Sequence, residues 1–557
     1  MKKIVRIITC FILAGVPFAC GNFGDLNKNP NSPDASADYN FQEAALGSVF
    51  RTSIPAIEGD DEQRVKSLMV DFYAQTMDGG GFDTRYYKMI DDWDNRMFRR
   101  VQNGVSNLNI VLRALGESNQ DVVANAKAVA MIWRVWVAAV GVDWFGSIPF
   151  ASYQGDVVDN PPYRSAEDIY TEFFSELDAA NTILSSGNAN PIFGNSKYDI
   201  IFGNDKEKWR KFANSLHLRL AMHLTEVNPT LATSEVQKAI AAGLMASASD
   251  NAKLPPKANG DWGQYYNYTM FQVSWGGPLN LTLSMEKLLT GIGGIDFPTS
   301  GITNKRGGTP LSAIHPTKVD PRGPVMFDPA YSTGDWKGIV DGLNPALHPE
   351  MTTANTSTNC AELGILFKDG VLYQTRPYDL FLYEETLFLQ AEAVLKLNVS
   401  GDAKALYEAG VRASFATWGV PAQADAYLAS TDKNLAGTSA SFDDNTGAGN
   451  TQLEKIITQK YFALFPDMSY EAWNDKRRLN LPRTEVVYDR YTALWPAGSS
   501  TDVTDPSNYI RRIQYPQSEV LTNEAEYNKG VALLGGTDVV TTKVWWDKGS
   551  NYCTSAN

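Results

Sequence analysis

The sequence predicts a mainly α-helical protein, a tetratricopeptide-like helical-repeat scaffold with an irregular, loop-rich ligand-binding subdomain. Three observations lead to this prediction. Apolar residues recur at three- and four-residue steps in several stretches, a pattern typical of amphipathic helices. The periodicity fails between about 250 and 378, where Gly, Pro, Asn and Thr accumulate. Aromatic residues are 11% of the 557 residues, and many lie in Gly- and Asn-rich stretches, where exposed rings indicate recognition.

The clearest helix is predicted over residues 121 to 145 and is expected to end at Gly146. Its apolar stripe consists of Val122, Ala126, Val129, Trp133, Val137, Val140 and Trp144. The stretch from Ala128 to Val142 is apolar but carries Arg134 in its middle. We therefore expect a buried helix of a folded body and not a membrane span.

Two helices that follow are expected to pack as an antiparallel pair. One is predicted from Ser165, which can cap it, to about Leu184. The other covers residues 208 to 224 and places Trp209 on its apolar side. Because Trp133, Trp144 and Trp209 lie on helical stripes, we expect them in the core.

The segment from Tyr383 to Phe415 has the spacing of a tetratricopeptide repeat. Ala391, Ala403 and Gly410 are spaced by twelve and seven residues, with Tyr407 between. Small residues at this spacing let two helices approach closely while an aromatic ring fills the groove. An ordinary antiparallel helix pair remains the alternative. A further pair is predicted from Gln452 to Phe465 and from Ser469 to about Leu479.

Charge and composition exclude several functions. The net charge of −14 and pI near 4.9 argue against non-specific nucleic-acid binding, which needs a basic surface. Four His and four Cys are too few for zinc clusters or a disulfide scaffold, so no cofactor or metal is predicted. Asp91, Asp92, Asp94 and Asn95 fit calcium, but a solvated acidic turn is preferred. Whether Cys360 and Cys553 pair stays open.

The N-terminus has the layout of an export signal. Lys2, Lys3 and Arg6 precede an apolar run from Ile7 to Phe18, and Cys20 follows, ahead of an Asn- and Gly-rich tether. This resembles a bacterial lipoprotein signal, in which Cys20 is acylated and anchors the protein to a membrane. Pro17 departs from the usual branched aliphatic residue, and an ordinary cleaved signal is the alternative.

Taken in order, several segments resemble the SusD/RagB family of nutrient-binding outer-membrane lipoproteins of the Bacteroidetes, in its SusD-like subgroup. They are CGNFGDLNKNPNSP after the signal, VDWFGSIPF, KWRKFANSLHLRLAMHL, VDPRGP, YEETLFLQAEAVLK, LEKIITQKYFALF with YEAWNDKRR, IRRIQYPQSEVLTNEAEYN and KVWWD. The resemblance covers nearly the whole mature chain. It implies a non-enzymatic protein that is lipid-anchored at the cell surface. It also implies that the protein binds oligosaccharides, or in some cases peptides, over a TonB-dependent transporter of the SusC type.

This organisation divides the chain into five parts. They are a lipoprotein signal peptide at 1–19, a lipidated tether at 20–40, an N-terminal helical-repeat part at 41–250, the irregular ligand-binding subdomain at 251–378, and a C-terminal helical-repeat part with a closing segment at 379–557.

Two aromatic clusters are the predicted ligand-binding residues. A pyranose ring presents a patch of C–H groups that packs well on a flat ring, while neighbouring Asp, Asn and Arg select hydroxyl patterns. The first cluster contains the stacking residues Trp262, Tyr265, Tyr266, Tyr268, Trp275 and Trp336, with Asp261 and Asp335 as polar companions. The second contains Asp78, Arg85, Tyr86, Tyr87 and Trp93. Ordinary packing is the alternative for each aromatic residue.

Glycan capture and delivery to a transporter is the leading function. Its alternatives are peptide capture by the same fold, a helical-repeat scaffold without a small ligand, and a secreted hydrolase. The 63 acidic residues make a glycosidase carboxylate pair easy to find by chance and therefore uninformative.

Overall fold

The structure is a computed structural model of the chain. It describes residues 39–53, 62–79, 82–117, 120–155, 160–255, 279–364, 367–368, 371–372, 376–489 and 509–549. The predicted signal peptide and Cys20 lie outside these residues. The first helix begins at Tyr39, so the last two residues of the predicted tether belong to it.

Helices dominate the described residues, as predicted. The α-helices are α1 Tyr39–Thr52, α2 Asp71–Ala74, α3 Asp91–Glu117, α4 Gln120–Phe145, α5 Ala166–Ser185, α6 Lys206–His223, α7 Pro229–Ala242, α8 Leu283–Leu289, α9 Gly323–Met326, α10 Pro349–Thr352, α11 Tyr383–Leu397, α12 Ala403–Thr417, α13 Ala424–Ala429, α14 Gln452–Leu464, α15 Ser469–Leu479, α16 Gln517–Thr522 and α17 Glu524–Leu534. A π-helix spans Glu62–Val70, and 3₁₀ turns span Asp83–Tyr86, Ser196–Tyr198, Ala248–Asp250, Ile292–Gly294 and Pro421–Gln423.

The strands are short. They are β1 Met77–Asp78, β2 Ile148–Pro149, β3 Tyr163–Arg164, β4 Ala252–Leu254, β5 Asn280–Leu281, β6 Phe327–Asp328, β7 Glu362–Leu363, β8 Phe367–Lys368, β9 Val371–Leu372 and β10 Tyr378–Phe381. One antiparallel sheet has the order β1-β5-β7-β6 and joins the irregular part to the segment before α3. β4 pairs antiparallel with β10, so the two ends of the predicted irregular subdomain meet.

The predicted N-terminal helices form close to their expected bounds. α4 ends before Gly146, which adopts a φ of +83° that a residue without Cβ tolerates. The Ser165 side chain caps α5 by accepting a hydrogen bond from the Asp168 N–H at 3.1 Å. Trp133, Trp144 and Trp209 are buried, which confirms them as core residues. Val122 is wrong as part of the buried stripe, because it lies in the first turn of α4 and is 39% exposed.

Helix α4 occupies the centre of the N-terminal part. Among the described residues, its segment Asp121–Phe145 is long and apolar enough to cross a membrane, and its most apolar window is fully buried in the fold. Arg134 in its middle is buried against Glu176 and donates to the Asn109 side-chain oxygen at 2.7 Å. The ion pair lets a charged residue occupy a core position.

The α11 and α12 pair shows the close approach expected of a tetratricopeptide-like unit. A Cβ atom on Gly410 would lie 2.7 Å from a ring carbon of Phe388, so only glycine fits there without a shift. Tyr407 is fully buried, and its hydroxyl donates to the Ala440 carbonyl at 2.8 Å. Helices α14 and α15 then match the second predicted pair, and α14 packs against α11.

A buried charge network joins helices α6, α11, α14 and α15. Its members are Arg219, His223, Glu385, Glu392, Lys460, Glu471, Asp475 and Arg478. Arg219 makes two hydrogen bonds of 2.7 Å to Glu385. Arg478 binds both oxygens of Glu392, at 2.5 and 2.6 Å. These pairs tie together helices that are far apart in sequence.

Candidate ligand-binding surface

Three chain segments meet at one surface: the turn at 83–88, the loop at 340–350 and the stretch at 484–489. Gly342 marks the contact, because a Cβ atom on it would lie 2.2 Å from Val487 Cγ1 and 2.9 Å from the Arg85 carbonyl oxygen. Its φ of +65° also favours glycine. Side chains that are more than 250 residues apart in sequence therefore share this surface.

The Tyr86–Tyr488 surface consists of Tyr86, His348, Tyr488 and Asp489. Tyr488 is 41% exposed, and its ring packs edge to face on His348 with centroids 4.9 Å apart. His348 Nε2 lies 3.0 Å from Asp489 Oδ1. The Asn344 backbone N–H donates to the other carboxylate oxygen of Asp489 at 2.6 Å. Tyr488 is thus held in place on one side and open to solvent on the other.

The Tyr86 side of the surface carries polar groups. The hydroxyl of Tyr86 donates a hydrogen bond to Asp83, and Lys88 lies 2.5 Å from the other oxygen of Asp83. Burial, the hydrogen bond to Asp83 and the negative charges of Asp83 and Asp489 raise the pKa of Tyr86. The hydrogen bonds from Lys88 and Tyr86 lower the pKa of Asp83, so it accepts hydrogen bonds as a carboxylate. These groups suit hydroxyl-rich ligands.

Tyr86 points outward because its neighbour points inward. Tyr87 is fully buried and has a φ of +71°, a conformation that costs energy for a residue with a side chain. Its ring packs edge to face between Tyr73 and Tyr509, each at a centroid distance of 6.0 Å. The buried ring fixes the turn that presents Tyr86.

The structure corrects most of the second predicted cluster. Asp78 and Arg85 are not exposed ligand contacts, because they form a buried ion pair at 2.9 Å, and Arg85 also donates to the Val340 carbonyl at 3.4 Å. Tyr87 and Trp93 are core residues, and Trp93 packs on the ring of Phe82. Of this cluster, Tyr86 lies at the surface. The buried pair positions the loop that carries the surface instead of contacting a ligand.

Two members of the first cluster, Asp335 and Trp336, lie within the described residues, and the structure corrects the prediction for both. Trp336 is fully buried, and its indole N–H donates to the Phe327 carbonyl at 3.1 Å, so it cannot stack on a ligand. Asp335 is mostly buried, pairs with Lys337 at 2.9 Å and accepts from Ser312 at 2.7 Å. The other members lie outside the described residues and stay predictions: Asp261, Trp262, Tyr265, Tyr266, Tyr268 and Trp275.

His348, Tyr488 and Asp489 are surface residues that sequence reasoning missed. Tyr488 lies in VVYDRY and His348 in LHPE, and neither segment has a helical stripe or a motif. Tyr331 shows that exposure alone does not identify a ring that is free to stack on a ligand. It is 40% exposed, but the Arg306 guanidinium lies 4.0 Å from its ring centroid, which covers one face.

The structure shows which carboxylates of the predicted acidic turn are exposed. Asp91, Asp92 and Asp94 open helix α3; Asp91 and Asp92 are exposed, whereas Asp94 is buried. The solvated turn therefore holds for two of the three carboxylates.

Cys360 is a buried free thiol, and burial raises its pKa to about 12. Cys553 lies outside the described residues.

Asp143, His223 and Glu471 bring potential metal-ligand atoms within 4.8 Å of one another. Protein groups already engage these atoms: His223 Nε2 lies 2.9 Å from Glu471 and its Nδ1 lies 2.9 Å from the Tyr170 hydroxyl. Burial opposes a charge on His223, but the carboxylates of Glu471 and Asp143 outweigh it and raise the pKa of His223 to about 9. In the fold, the two ring nitrogens of His223 have Glu471 and the Tyr170 hydroxyl as their hydrogen-bond partners.

Comparison with known proteins places the chain in a family. A crystal structure of a SusD homologue from Parabacteroides distasonis is 50% identical, covers 93% of this chain and 100% of that chain, and superposes with a TM-score of 0.88. The chain belongs to the SusD/RagB family. Two family models agree: one described as starch-binding and associating with the outer membrane matches residues 40–274, and one described as a SusD and RagB outer-membrane lipoprotein matches residues 304–547.

Other SusD homologues share the fold. A chitin-binding SusD homologue from Flavobacterium johnsoniae is 25% identical, with a TM-score of 0.70 over 92% of this chain and 99% of its own. A SusD homologue from Bacteroides vulgatus is 23% identical, with a TM-score of 0.71 over 92% and 98%. Among curated proteins, none matches the sequence.

Proposed function

We propose that this SusD-family protein captures a glycan oligosaccharide non-covalently at the Tyr86–Tyr488 surface and delivers it to a TonB-dependent transporter of the SusC type. It releases the glycan chemically unchanged. The predicted acylation of Cys20 holds it at the cell-surface side of the outer membrane.

The family supports the ligand class and the compartment. One matching family model is described as starch-binding and the other as an outer-membrane lipoprotein. The homologue from Flavobacterium johnsoniae is chitin-binding. Together they favour an oligosaccharide over a peptide as the ligand.

The exposed ring of Tyr488 is the observation that carries the proposed site. Asp489 and His348 order the neighbouring backbone and side chains, so little conformational freedom is lost when a sugar packs on the ring. On the adjoining turn at 83–88, the phenol of Tyr86 and the ammonium of Lys88, both bound to Asp83, supply further hydrogen-bonding groups. Such a surface binds sugars by apolar contact and hydrogen bonds without a covalent step.

Binding measurements with Tyr488→Ala test the site. We expect a neutral oligosaccharide, found by screening chito-, malto- and xylo-oligosaccharides, to bind the variant roughly 2- to 13-fold more weakly, since an aromatic contact contributes about 0.5–1.5 kcal/mol. Tyr331→Ala is the matched control, because that ring is equally exposed but covered on one face by Arg306. Equal loss in both variants, or binding of peptides alone, would contradict the proposal.

Two further measurements test whether the protein cleaves the bound glycan and whether Cys20 anchors it to the membrane. Incubation with the bound glycan should yield no shorter products by chromatography, and any turnover argues for a hydrolase. Cys20→Ala should move the protein from the membrane fraction to the soluble fraction. If the variant stays with membranes, the anchor lies elsewhere.

A further inference from the structure

A cavity of about 510 Å³ lies at the C-terminal end of the described chain. Its wall is formed by residues 146–147 after α4, by 165–167 at the start of α5, by 533–535 at the end of α17, and by 542–545 and 547–548 of the closing segment. The volume lies within the range of about 300–1,000 Å³ that small-molecule sites occupy. It shares no residue with the Tyr86–Tyr488 surface.

The cavity has an aromatic wall. Trp545 lines it and is half-buried, and its ring packs edge to face on Tyr170 with centroids 5.8 Å apart. The next residue, Trp546, is fully buried and donates its indole N–H to Asp143 at 2.9 Å. Trp546 anchors the closing segment in the core and leaves Trp545 to face the cavity. A flat ring held in this way can receive the C–H face of a sugar.

The same wall carries two lysines and two carboxylates, and a further cation, Arg511, pairs with one of these carboxylates from outside the lining. Among the described lining residues, Lys543 and Lys548 face two carboxylates, Glu167 and Asp547. Arg511 lies 3.4 Å from Asp547 and neutralises it. Burial and the charges of Arg511 and Lys548 lower the pKa of Lys543, although Asp547 opposes this shift. The Lys543 ammonium also donates to the Gly549 carbonyl at 2.6 Å. The crowded cations would be stabilised by an anion.

We propose that this cavity is a second glycan-binding site, selective for an acidic sugar of the hexuronate type. The pyranose ring packs on Trp545, its carboxylate pairs with Lys548 and Lys543, and Glu167 accepts hydrogen bonds from its hydroxyl groups. The inference rests on the proposed glycan-binding function and adds an anionic ligand class to it. Because the two sites are formed by different segments, each is open to separate tests.

Calorimetry with a galacturonic acid tetramer tests the cavity, with the methyl-esterified tetramer as its uncharged match. We expect Lys548→Glu to weaken binding of the acid form at least tenfold, and the ester to bind wild type at least fivefold more weakly than the acid. Lys529→Glu makes the same charge change at an exposed lysine outside the cavity wall and should leave the affinity within twofold. Trp545→Phe should retain part of the affinity that Trp545→Ala loses.

The outcomes separate this inference from the proposed function. No binding of the acid tetramer, equal binding of acid and ester, or equal effects of Lys548→Glu and Lys529→Glu would overturn the cavity site. If Tyr488→Ala abolishes acid binding while Lys548→Glu does not, all binding belongs to the Tyr86–Tyr488 surface and the cavity proposal fails. If Lys548→Glu alone matters and Tyr488→Ala has no effect on a neutral glycan, the cavity stands and the proposed primary site fails.

Discussion

The C-terminal helical part and the irregular part at 279–364 both contain buried polar side chains, but the contacts of these side chains differ. In the helical part, charged side chains pair with each other across helices, as Arg219 does with Glu385 and Arg478 with Glu392. The irregular part also contains ion pairs, such as the fully buried Arg322–Asp320 pair, but there polar side chains in addition bind backbone groups. The Asn280 amide donates to the carbonyls of Ser357, Cys360 and Ala361, at 2.7 to 3.2 Å.

The difference follows from the backbone. A helix satisfies its own N–H and C=O groups, so its side chains are available for contacts with other helices. A loop in the interior cannot do so, and its side chains must pair with the backbone. We infer that the helical part is sensitive to loss of charge and the irregular part to loss of shape.

Breaking the buried charge network should have the largest effect. Arg478→Ala removes the cation that binds both oxygens of Glu392 and leaves Asp475 paired with Lys460 alone. We expect a loss of about 3–5 kcal/mol in the free energy of unfolding. Urea denaturation measures it. Arg412→Ala is the control, since Arg412 is half-exposed in its pairs with Glu408 and Asp425, and it should cost less than about 1 kcal/mol. Similar losses in both variants would remove the distinction between buried and exposed pairs.

Shape in the irregular part is tested by Gly342→Ala. The new Cβ would meet Val487 and the Arg85 carbonyl in a left-handed conformation, and we expect a loss of about 2–4 kcal/mol together with weaker glycan binding. Gly308→Ala has a similar φ of +72° but open space around it, so it should cost about 1 kcal/mol and leave binding unchanged. Comparing the denaturation curves of the two variants separates the cost of backbone strain from the cost of the steric clash at Gly342. Equal losses of stability would mean that the neighbouring residues move and relieve the clash.

A pH series tests the charge network without removing an ion pair. The pKa of His223 is raised to about 9 in the fold, above its ordinary value of about 6.5. Its stabilisation is therefore complete below about pH 6.5 and is lost as pH rises towards 9. We expect wild type to lose more stability than His223→Gln between these values. Parallel profiles would show that the charge of His223 does not contribute to the change in stability over this pH range.

The smallest effect is expected at Cys360. Its thiol is fully buried and its pKa is raised to about 12, so iodoacetamide at pH 8 should modify it at least ~100-fold more slowly in the native protein than in urea. Mass spectrometry of the Cys360 peptide gives the rate. Fast modification in buffer would show that the irregular part opens locally, in contrast to the helical part.

The helices that the sequence predicted were recognisable because their periodicity is local, whereas α1, α3 and α7 were not identified individually. The signals for the predicted helices come from contacts within one helix or between two neighbouring helices. Examples are the apolar stripe of residues 121 to 145, the turn at Gly146, and the small residues Ala391, Ala403 and Gly410. Helix α8 was missed, since seven residues between loops leave too few apolar positions for a stripe. Its cap, the Thr282 hydroxyl accepting from the Met285 N–H at 3.0 Å, was the available signal.

The surface was predictable only in part. Tyr86 was identified within a Gly-rich, aromatic segment, but nothing local separates it from Tyr87, whose ring points the other way. Tyr488 and His348 join it through contacts between residues far apart in sequence. Trp336 lies in a loop by sequence and in the core by structure, because a long irregular segment packs its own rings inward.

Helix α4 has a consequence for the biogenesis of an outer-membrane protein. Its apolar length equals that of a stop-transfer segment, yet the chain must cross the inner membrane completely. Arg134 at its centre makes the lateral transfer of this segment into lipid about 2.5–3.5 kcal/mol less favourable. After folding, Arg134 pairs with Glu176. We therefore expect Arg134→Leu to leave part of the precursor in the inner membrane, even if the folded protein tolerated the change.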